Sequence, residues 1–447
     1  MPFKVSLIAT ISCLLILRAG ARDKLDVKYG KVSADDLQRN YTIDTSAAAV
    51  VLFDIASSEI EADADWFQLV FKRHCRIKIL NKNGYDASNV SIPVYVDGMK
   101  EERVSNLKGA TYNLVNGAVV STSLESKSVF TDKLDKKHSV KKFTLPNVKE
   151  GAIIEFSYTI TSDFLFNLQP WEFQSKDYPT MWSEYSVAIP SWLEYITLRR
   201  GYEREHVPNN PKTNMRSFNF RIDGGAGQAN ERATYTIPVT THRWVYKDLP
   251  MLKEEDFTTS IDNHLTAIRF QQSAIRIPER PVHPVLSTWP KLYEDYMKEE
   301  ALGACLKANN NYLSDKVDEL VKGAGSNMEK AKRIYAFVRD NYTCTAHSAL
   351  SMQTSLRNVY TRKNGNVTEL NMLLTAMLNK ADLEAYPMIL STRANGTVYA
   401  FYPIIDMFNY TICAFRDGEQ YHYRMRVILI SVSVNCRYPC TMAMRAS

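Results

Sequence analysis

The sequence predicts an α+β protein in which a β-rich part comes first and a part of mixed helices and strands follows. From about residue 40 to 250, apolar and polar residues alternate in short segments, as expected of strands with one buried face. After about residue 325, apolar residues recur every three or four positions, as on the buried face of a helix. Prolines separate the two parts: Pro278, Pro281, Pro284 and Pro290.

The length and composition favour a two-domain globular protein. At 447 residues the chain is too long for one ordinary core, and 45% of its residues are hydrophobic and 23% charged. The net charge of +6, from 55 basic and 49 acidic residues, is too small to indicate a nucleic-acid partner. No group of His, Cys and carboxylate residues has the spacing of metal ligands, so neither a metal nor a cofactor is expected.

The first 21 residues have the pattern of a signal peptide. Lys4 supplies the positive charge, Val5 to Leu17 form an apolar run, and Ala19-Gly20-Ala21 is a cleavage site of small residues. This run is shorter than the roughly 20 residues of a membrane-spanning helix, although a retained anchor is the other interpretation. The sequence therefore predicts a periplasmic or extracellular protein without a stable membrane span after cleavage.

Cysteines of such an exported chain are candidates for disulfide bonds. Their spacings show no disulfide framework and no CxxC motif. Cys436 and Cys440 lie close enough in sequence for a local bridge. Most of the other cysteines are expected to be small buried apolar residues.

The strands of the first part are clearest between Phe67 and Leu80. Residues of one parity there are apolar: Leu69, Phe71, Cys75, Ile77 and Ile79. Similar alternation follows at residues 154–160, 185–189 and 235–239. Turn sequences separate the segments: Asn83-Gly84, Asn116-Gly117 and Asp223-Gly224-Gly225. Many short strands with such turns predict a β-sandwich-like domain.

In the second part, a capped helix starts directly after Gly365. Asn366 has the N-cap residue type, and Glu369 stands three residues later, where it closes a capping box. One helical stripe is apolar: Leu370, Leu373, Leu374, Met377, Leu378 and Ala381. Another helix begins at a second capping box, Ser326-Asn327-Met328-Glu329.

The segment from Gly365 to Leu374 resembles the nucleophile helix of the transglutaminase-like superfamily. Members of that superfamily carry a cysteine at the position of Val367, where the helix N-terminus lowers the pKa of the thiol. The run Phe408–Phe415 resembles the family strand that carries the catalytic histidine, but Tyr410 occupies that place. The family aspartate is expected in the stretch His422–Arg426, which holds no carboxylate. The resemblance implies a papain-like α+β domain without its catalytic residues.

A second resemblance concerns the β-rich part. The motifs between Phe164 and Pro190 resemble a domain of unknown function that commonly precedes transglutaminase-like domains in exported bacterial proteins. The predicted organisation is a signal peptide (1–21), a β-rich sandwich-like domain (22–265), a Pro-rich linker (266–290), a degenerate transglutaminase-like domain (291–426) and a divergent tail (427–447). After Glu419 no acidic residue occurs, and this tail is either diverged or altered by a change of reading frame.

We expect from these patterns an exported, non-catalytic protein that binds a peptide, a protein or a cell-envelope polymer, with no catalytic residue assigned. Val367 and Tyr410 mark the degenerate site. The alternative is an active thiol-dependent transglutaminase, amidase or peptidase that uses Cys344 with His347, a Cys/His pair three residues apart. This pair follows a helix end and is not on a helix N-terminus, so nothing obvious in the sequence lowers the pKa of its thiol. A third interpretation is a damaged gene product without function.

Overall fold

A computed structural model describes the chain from residue 25 to 424, except for residues 26, 42, 64–65, 135–136, 223–230, 257, 259, 277–280, 394, 400 and 419. The described residues form two compact units, which divide at residues 254–264 and 282–283. The first comprises residues up to 254 together with 264–282, and the second comprises 255–263 together with the residues from 283 onward. The predicted signal peptide, the tail from 427 and the Cys436 and Cys440 pair lie outside the described residues.

The first unit is built almost entirely of strands. Its elements are α1 (Ala34–Gln38), β1 (Ala49–Asp63), β2 (Trp66–Ile79), β3 (Asn89–Asp97), β4 (Lys100–Glu101), β5 (Arg103–Val115), β6 (Ala118–Ser123), β7 (Val129–Lys133), β8 (His138–Thr144), β9 (Ile153–Ser162), β10 (Trp171–Glu172), β11 (Thr180–Pro190), β12 (Leu193–Arg200), β13 (Lys212–Ile222), β14 (Glu231–Leu249) and β15 (Ala267–Ile275).

Eight of these strands form one large sheet in the order β13-β14-β11-β1-β2-β9-β5-β6. Strand β1 pairs in parallel with β11 on one side and antiparallel with β2 on the other. Two smaller sheets, β4-β3-β8-β7 and β10-β15-β12, contribute to the same core as the inner face of the large sheet. This core contains the predicted apolar parity of β2, from Leu69 to Ile79, and the sandwich-like expectation for this region is confirmed.

The predicted linker at 266–290 is wrong in its first part. Strand β15 occupies residues 267–275 and pairs with both β10 and β12. Ala267, Ile268 and Ala274 of this strand are buried in the first unit. The four prolines that suggested a linker all follow strand β15. They therefore do not indicate where the linker begins.

The second unit combines helices with short strands. Its elements are β16 (His283–Pro284), α2 (Trp289–Tyr296), α3 (Ala304–Lys307), α4 (Ser314–Val321), α5 (Asn327–Asn341), β17 (Thr343–Cys344), α6 (Leu356–Arg362), β18 (Asn364–Gly365), α7 (Val367–Lys380), β19 (Glu384–Leu390), β20 (Tyr410–Asp417) and β21 (Gln420–Arg424). Strands β19, β20 and β21 form an antiparallel sheet that packs against α7. No described helix has the length and apolar character needed to cross a membrane.

Helix α7 is the centre of this unit and begins where the capping residues predict. The Asn366 side chain accepts a hydrogen bond from the Glu369 N–H at 2.9 Å, and the Glu369 carboxylate accepts one from the Asn366 N–H at 2.7 Å. All residues from Val367 to Leu378 are buried, on every face of the helix rather than on one stripe. Its polar residues therefore need internal partners: the Asn371 amide donates to the Val367 carbonyl at 2.9 Å, and the Thr375 hydroxyl donates to the Asn371 carbonyl at 2.8 Å.

Candidate functional site

Val367 and Tyr410, which the sequence marks as a degenerate site, lie in one buried cluster. Val367 opens helix α7 with 0% of its surface exposed, and Tyr410 opens strand β20 with 4% exposed. Apolar residues of the sheet complete the cluster: Met388, Ile412 and Ala414. The expected juxtaposition of the helix start and the strand is confirmed, and the space between them is filled by apolar side chains.

Two short pairings bring the preceding loop to the start of α7. Strand β17 pairs in parallel with β18, which places Cys344 opposite Gly365. Further along, Ala349 forms a parallel bridge with Tyr410. The Val367 N–H donates to the carbonyl of Ala346 at 2.9 Å. The first N–H of the helix therefore bonds to this loop.

Glu369 holds the same loop from the other side. Its buried carboxylate accepts hydrogen bonds from the N–H groups of Gln353 at 2.7 Å and Thr354 at 2.9 Å, in addition to that of Asn366. A Cβ atom at Gly365 would lie 2.8 Å from this carboxylate, so a side chain there would displace it. The Glu369 carboxylate thus accepts its hydrogen bonds from backbone N–H groups and serves as a structural residue.

Asn409, which leads into strand β20, also has a structural role. Its side-chain oxygen accepts the Thr392 N–H at 2.9 Å, and its amide donates to the hydroxyls of Thr392 at 2.9 Å and Ser348 at 3.3 Å. These bonds tie the loops on both sides to the start of the strand. The position of Tyr410 is consequently fixed by its own neighbour in the sequence.

Cys344 lies nearer to the start of α7 than the sequence suggests. Its half-buried side chain packs against the cluster of Val367 and Tyr410, and its thiol donates to the Ala346 carbonyl at 3.3 Å. Cys344 lies on strand β17 and not on a helix N-terminus, as the sequence predicts, and its pairing with Gly365 brings it close to the start of α7. His347 is exposed, and in the described part of the chain no hydrogen bond joins it to Cys344.

The stretch in which the family aspartate is expected begins on strand β21. After the turn at Gly418, which has φ of 62°, β21 pairs with β20 and places His422 opposite Phe415 and Tyr423 opposite Ala414. Met425 and Arg426 lie outside the described residues. Within residues 25–424 as described, no three His, Cys, Asp or Glu side chains come together as a metal site.

Lys363 is a feature of this region that sequence reasoning missed. It ends α6 in the left-handed conformation, with φ of 58°. Its ammonium group donates to the Tyr342 hydroxyl at 2.8 Å and lies 4.2 Å from the ring centre of Tyr360, 4.6 Å from that of Tyr342 and 5.3 Å from that of Phe337. Burial, with a smaller contribution from Lys316, lowers the pKa of Lys363. Phe337 and Tyr342 come from the end of α5, far from Lys363 in the sequence, so no local motif shows this contact.

Comparison with known families agrees with this geometry. Residues 314–423, which include the start of α7 and the sheet behind it, match the model of the transglutaminase-like superfamily. The second unit carries a transglutaminase-like domain. Residues 68–251 match the domain of unknown function DUF3857, so the two domains follow each other as the sequence predicts.

A solved structure shows the same fold. It is a crystal structure described as a "putative protease" from Parabacteroides distasonis, with 12% sequence identity and a TM-score of 0.55. The alignment covers 85% of this chain and 67% of the other. At this identity the likeness concerns the fold alone. The search of curated proteins gives no match.

Proposed function

We propose that this protein is an exported, non-catalytic member of the transglutaminase-like superfamily that binds a peptide, a protein or a cell-envelope polymer. The observation that carries the proposal is the cluster of Val367 and Tyr410, whose side chains are closed to solvent and stand where the family resemblance expects the nucleophile and the histidine. The signal-peptide pattern of residues 1–21 supports export.

The chemistry of acyl transfer explains why this cluster argues against catalysis. The reaction needs a thiolate to attack the carbonyl carbon and an imidazole to move the proton to the leaving group. Val367 carries no nucleophile, and a tyrosine, with an ordinary pKa near 10, is a poor substitute for an imidazole that titrates near neutrality. A substrate carbonyl would also have to displace buried side chains to reach the helix start.

The scaffold around the cluster nevertheless supports a binding role. The loop that follows Cys344 is bonded to α7 through the Glu369 carboxylate and through the Asn366 amide, which donates to the Ser351 carbonyl at 3.0 Å. The exposed residues of this loop are therefore held on a rigid support, and a fixed surface loses less entropy on binding than a mobile one.

An assay with the purified mature protein tests the proposal. Peptide amides and amine donors are supplied to the wild type and to a Cys344→Ala variant, and the products are followed by mass spectrometry. We expect no turnover by either protein. Co-sedimentation with cell-envelope fragments tests binding, and N-terminal sequencing of the secreted chain tests cleavage after Ala21. Turnover that the variant loses would reverse the conclusion.

One observation favours a second candidate, a thiol enzyme that uses Cys344. This thiol is half-buried beside the degenerate positions, within the region where the superfamily places its nucleophile. His347 would have to turn towards it, because the described structure shows no bond between the two. Loss of turnover in both the Cys344→Ala and the His347→Ala variants would establish this candidate.

A further inference from the structure

The outer face of the eight-stranded sheet contains a trough in the first unit. One cavity of about 450 Å³ is lined by residues of β5, β9, β2, β1 and β11, including Lys108, Ser157 and Lys72. A second cavity of about 380 Å³ is lined by β1, β11, β14 and β13, including Thr241 and Arg216. Ser57 and Ser186 line both cavities, which therefore form one continuous trough.

The dimensions of the trough suit a linear polymer. It crosses seven neighbouring strands, from β5 to β13. Strands lie about 4.8 Å apart, so the trough is roughly 29 Å long and runs across the strands. A ligand there lies on side chains of a sheet face, and it does not add a strand to a sheet edge, the way in which many extended peptides bind.

A buried carboxylate beside the trough fixes one of its floor residues. His74 lines the trough, and its Nε2 atom lies 2.8 Å from Glu155, whose side chain has no exposed surface. Glu155 also accepts hydrogen bonds from the guanidinium of Arg76 at 2.7 Å, the hydroxyl of Tyr112 at 3.0 Å and the N–H of Gly30 at 2.9 Å. The imidazole is therefore held in one orientation at the floor of the trough.

Hydroxyl groups on the floor are available to a ligand. Ser57, Ser157 and Thr159 are half-buried, and within the described part of the chain their hydroxyls have no hydrogen-bond partner. Apolar residues, among them Ile55 and Met215, also line the trough, so its surface offers both apolar contacts and free hydroxyls. Such a floor matches a ligand that itself carries many hydroxyls.

The charges along the trough favour acidic groups on that ligand. Its carboxylates are already bound to cations: Glu184 to Arg243 at 2.6 Å, and Glu59 to Lys72 at 3.0 Å and Arg216 at 3.1 Å. By contrast, the exposed Lys108 has no carboxylate within 4.0 Å among the described residues, and its ammonium lies 5.8 Å from the ring centre of Tyr29. Among its described lining residues, the trough thus offers an unpaired cation and no unpaired carboxylate.

We propose that the trough binds an acidic polysaccharide, a linear glycan with carboxylate groups. Lys108 contacts a carboxylate of the ligand, and the serine and threonine hydroxyls bond to its sugar hydroxyls. This site lies in the first unit and does not depend on the start of α7. It is separate from the surface considered for the transglutaminase-like domain.

Binding of a defined acidic oligosaccharide tests the proposal. Oligogalacturonate of about ten sugars is titrated calorimetrically into the full mature protein, beside a neutral dextran oligomer of equal length. We expect binding of the acidic oligomer that weakens with added salt, because exposed charges are screened over roughly 10 Å at 0.1 M. The neutral oligomer should bind much more weakly. Equal affinity for the two, or no binding of either, would overturn the proposal.

Matched variants locate the site. Lys108→Glu should weaken the affinity roughly tenfold, because an attraction becomes a repulsion. Lys127→Glu makes the same charge change at an exposed residue outside the trough, and the affinity should stay within about twofold. Ser57→Trp fills the segment common to both cavities and should abolish binding, with circular dichroism as the check of folding. Equal loss in the two lysine variants would refute the location. Val367 and Cys344 variants should leave this binding unchanged, which separates the proposal from the absence of catalysis.

Discussion

The outer face of the large sheet and the start of helix α7 both carry buried side chains, but the chemistry of those side chains differs. On the sheet, Glu155 is fully enclosed and bonded to His74 and Arg76. At the helix start, Val367 and Tyr410 lie among apolar residues. Burying charge costs free energy unless partners compensate, and a sheet can be closed with apolar residues alone. The imidazole and guanidinium groups of the sheet face therefore depend on the buried Glu155 carboxylate, whereas the buried Glu369 carboxylate near the start of α7 bonds to backbone N–H groups.

Removal of the Glu155 charge should have the largest effect. In a Glu155→Gln variant, the buried Arg76 loses its carboxylate, and loss of one partner of a buried pair costs about 3–5 kcal/mol. The free energy of unfolding in urea measures this loss. Glu125→Gln, at an exposed pair with Lys127, is the control and should leave the midpoint unchanged. A small effect in Glu155→Gln would mean that the network is not what stabilises the sheet face.

The Glu155 carboxyl group also makes the stability of the protein depend on pH. Burial by itself raises the pKa of Glu155, but hydrogen bonds from His74 and Gly30 and the charge of Arg76 outweigh it, so the pKa lies below its usual 4.5. The associated stability is present above pH 4.5 and is lost as the pH falls through the folded-state pKa. We expect Glu155→Gln to reduce the acid sensitivity of the unfolding midpoint below this pH. An identical acid profile would contradict the assignment.

A thiol placed at Val367 tests how accessible the start of helix α7 is to solvent. In a Val367→Cys variant the helix N-terminus favours the thiolate, but the side chain is fully buried. An alkylating reagent can reach it only after local opening. We expect labelling roughly a hundredfold slower than that of Cys344, which corresponds to an opening free energy of about 3 kcal/mol. Labelling in denaturant serves as the control. A rate above that of Cys344 would show an accessible site and strengthen the catalytic alternative.

Much of the transglutaminase-like domain was predictable because its signals are local. The capping pair Asn366 and Glu369 fixes the start of α7, and the alternation after residue 408 marks the strand that faces it. The position of Cys344 was not predictable, since it depends on a pairing with Gly365, which follows a loop and helix α6 in the sequence. Local patterns identify elements, whereas long-range pairing decides which residues meet.

The polar side of strand β2 shows a second way in which a sequence pattern fails to predict burial. Its even-numbered residues look like a solvent-exposed face, yet Arg76 is only 8% exposed and Lys78 only 4%. The ammonium of Lys78 donates to the carbonyls of Leu37 and, at 2.7 Å, Gly151, and burial lowers its pKa to about 8. The segment that covers these residues, around α1, is short and polar, so the sequence gives no sign that it packs on the sheet.

Substitution of Lys363 in the second unit should cause an intermediate loss of unfolding free energy. Lys363→Met removes an ammonium from contact with three aromatic rings and from the Tyr342 hydroxyl, which should cost about 1–2 kcal/mol of unfolding free energy. Lys332→Met, at an exposed position of helix α5, is the matched control and should change little. Equal behaviour of the two variants in urea would show that the rings contribute packing only.

The smallest effect is expected at the helix cap. Asn366→Ala removes the side chain that accepts the Glu369 N–H and should cost about 1 kcal/mol. Ser326→Ala removes the comparable cap of α5, whose N3 carboxylate bonds to Gly325 instead of the cap residue. Thermal unfolding of both variants measures the difference. A larger loss for Ser326→Ala would show that the reciprocal bond at α7 adds nothing.

The parallel pairing of β1 with β11 has a consequence for how the chain is made. Ser58 of β1 and Tyr185 of β11, which bond through their hydroxyls at 2.7 Å, are 127 residues apart. At a synthesis rate of about 5–20 residues per second, roughly ten seconds pass between the appearance of the two strands. During that interval one edge of β1 has unpaired N–H and C=O groups that can pair with other chains. A nascent chain that stalls before residue 180 therefore leaves this edge of β1 open to pairing with other chains.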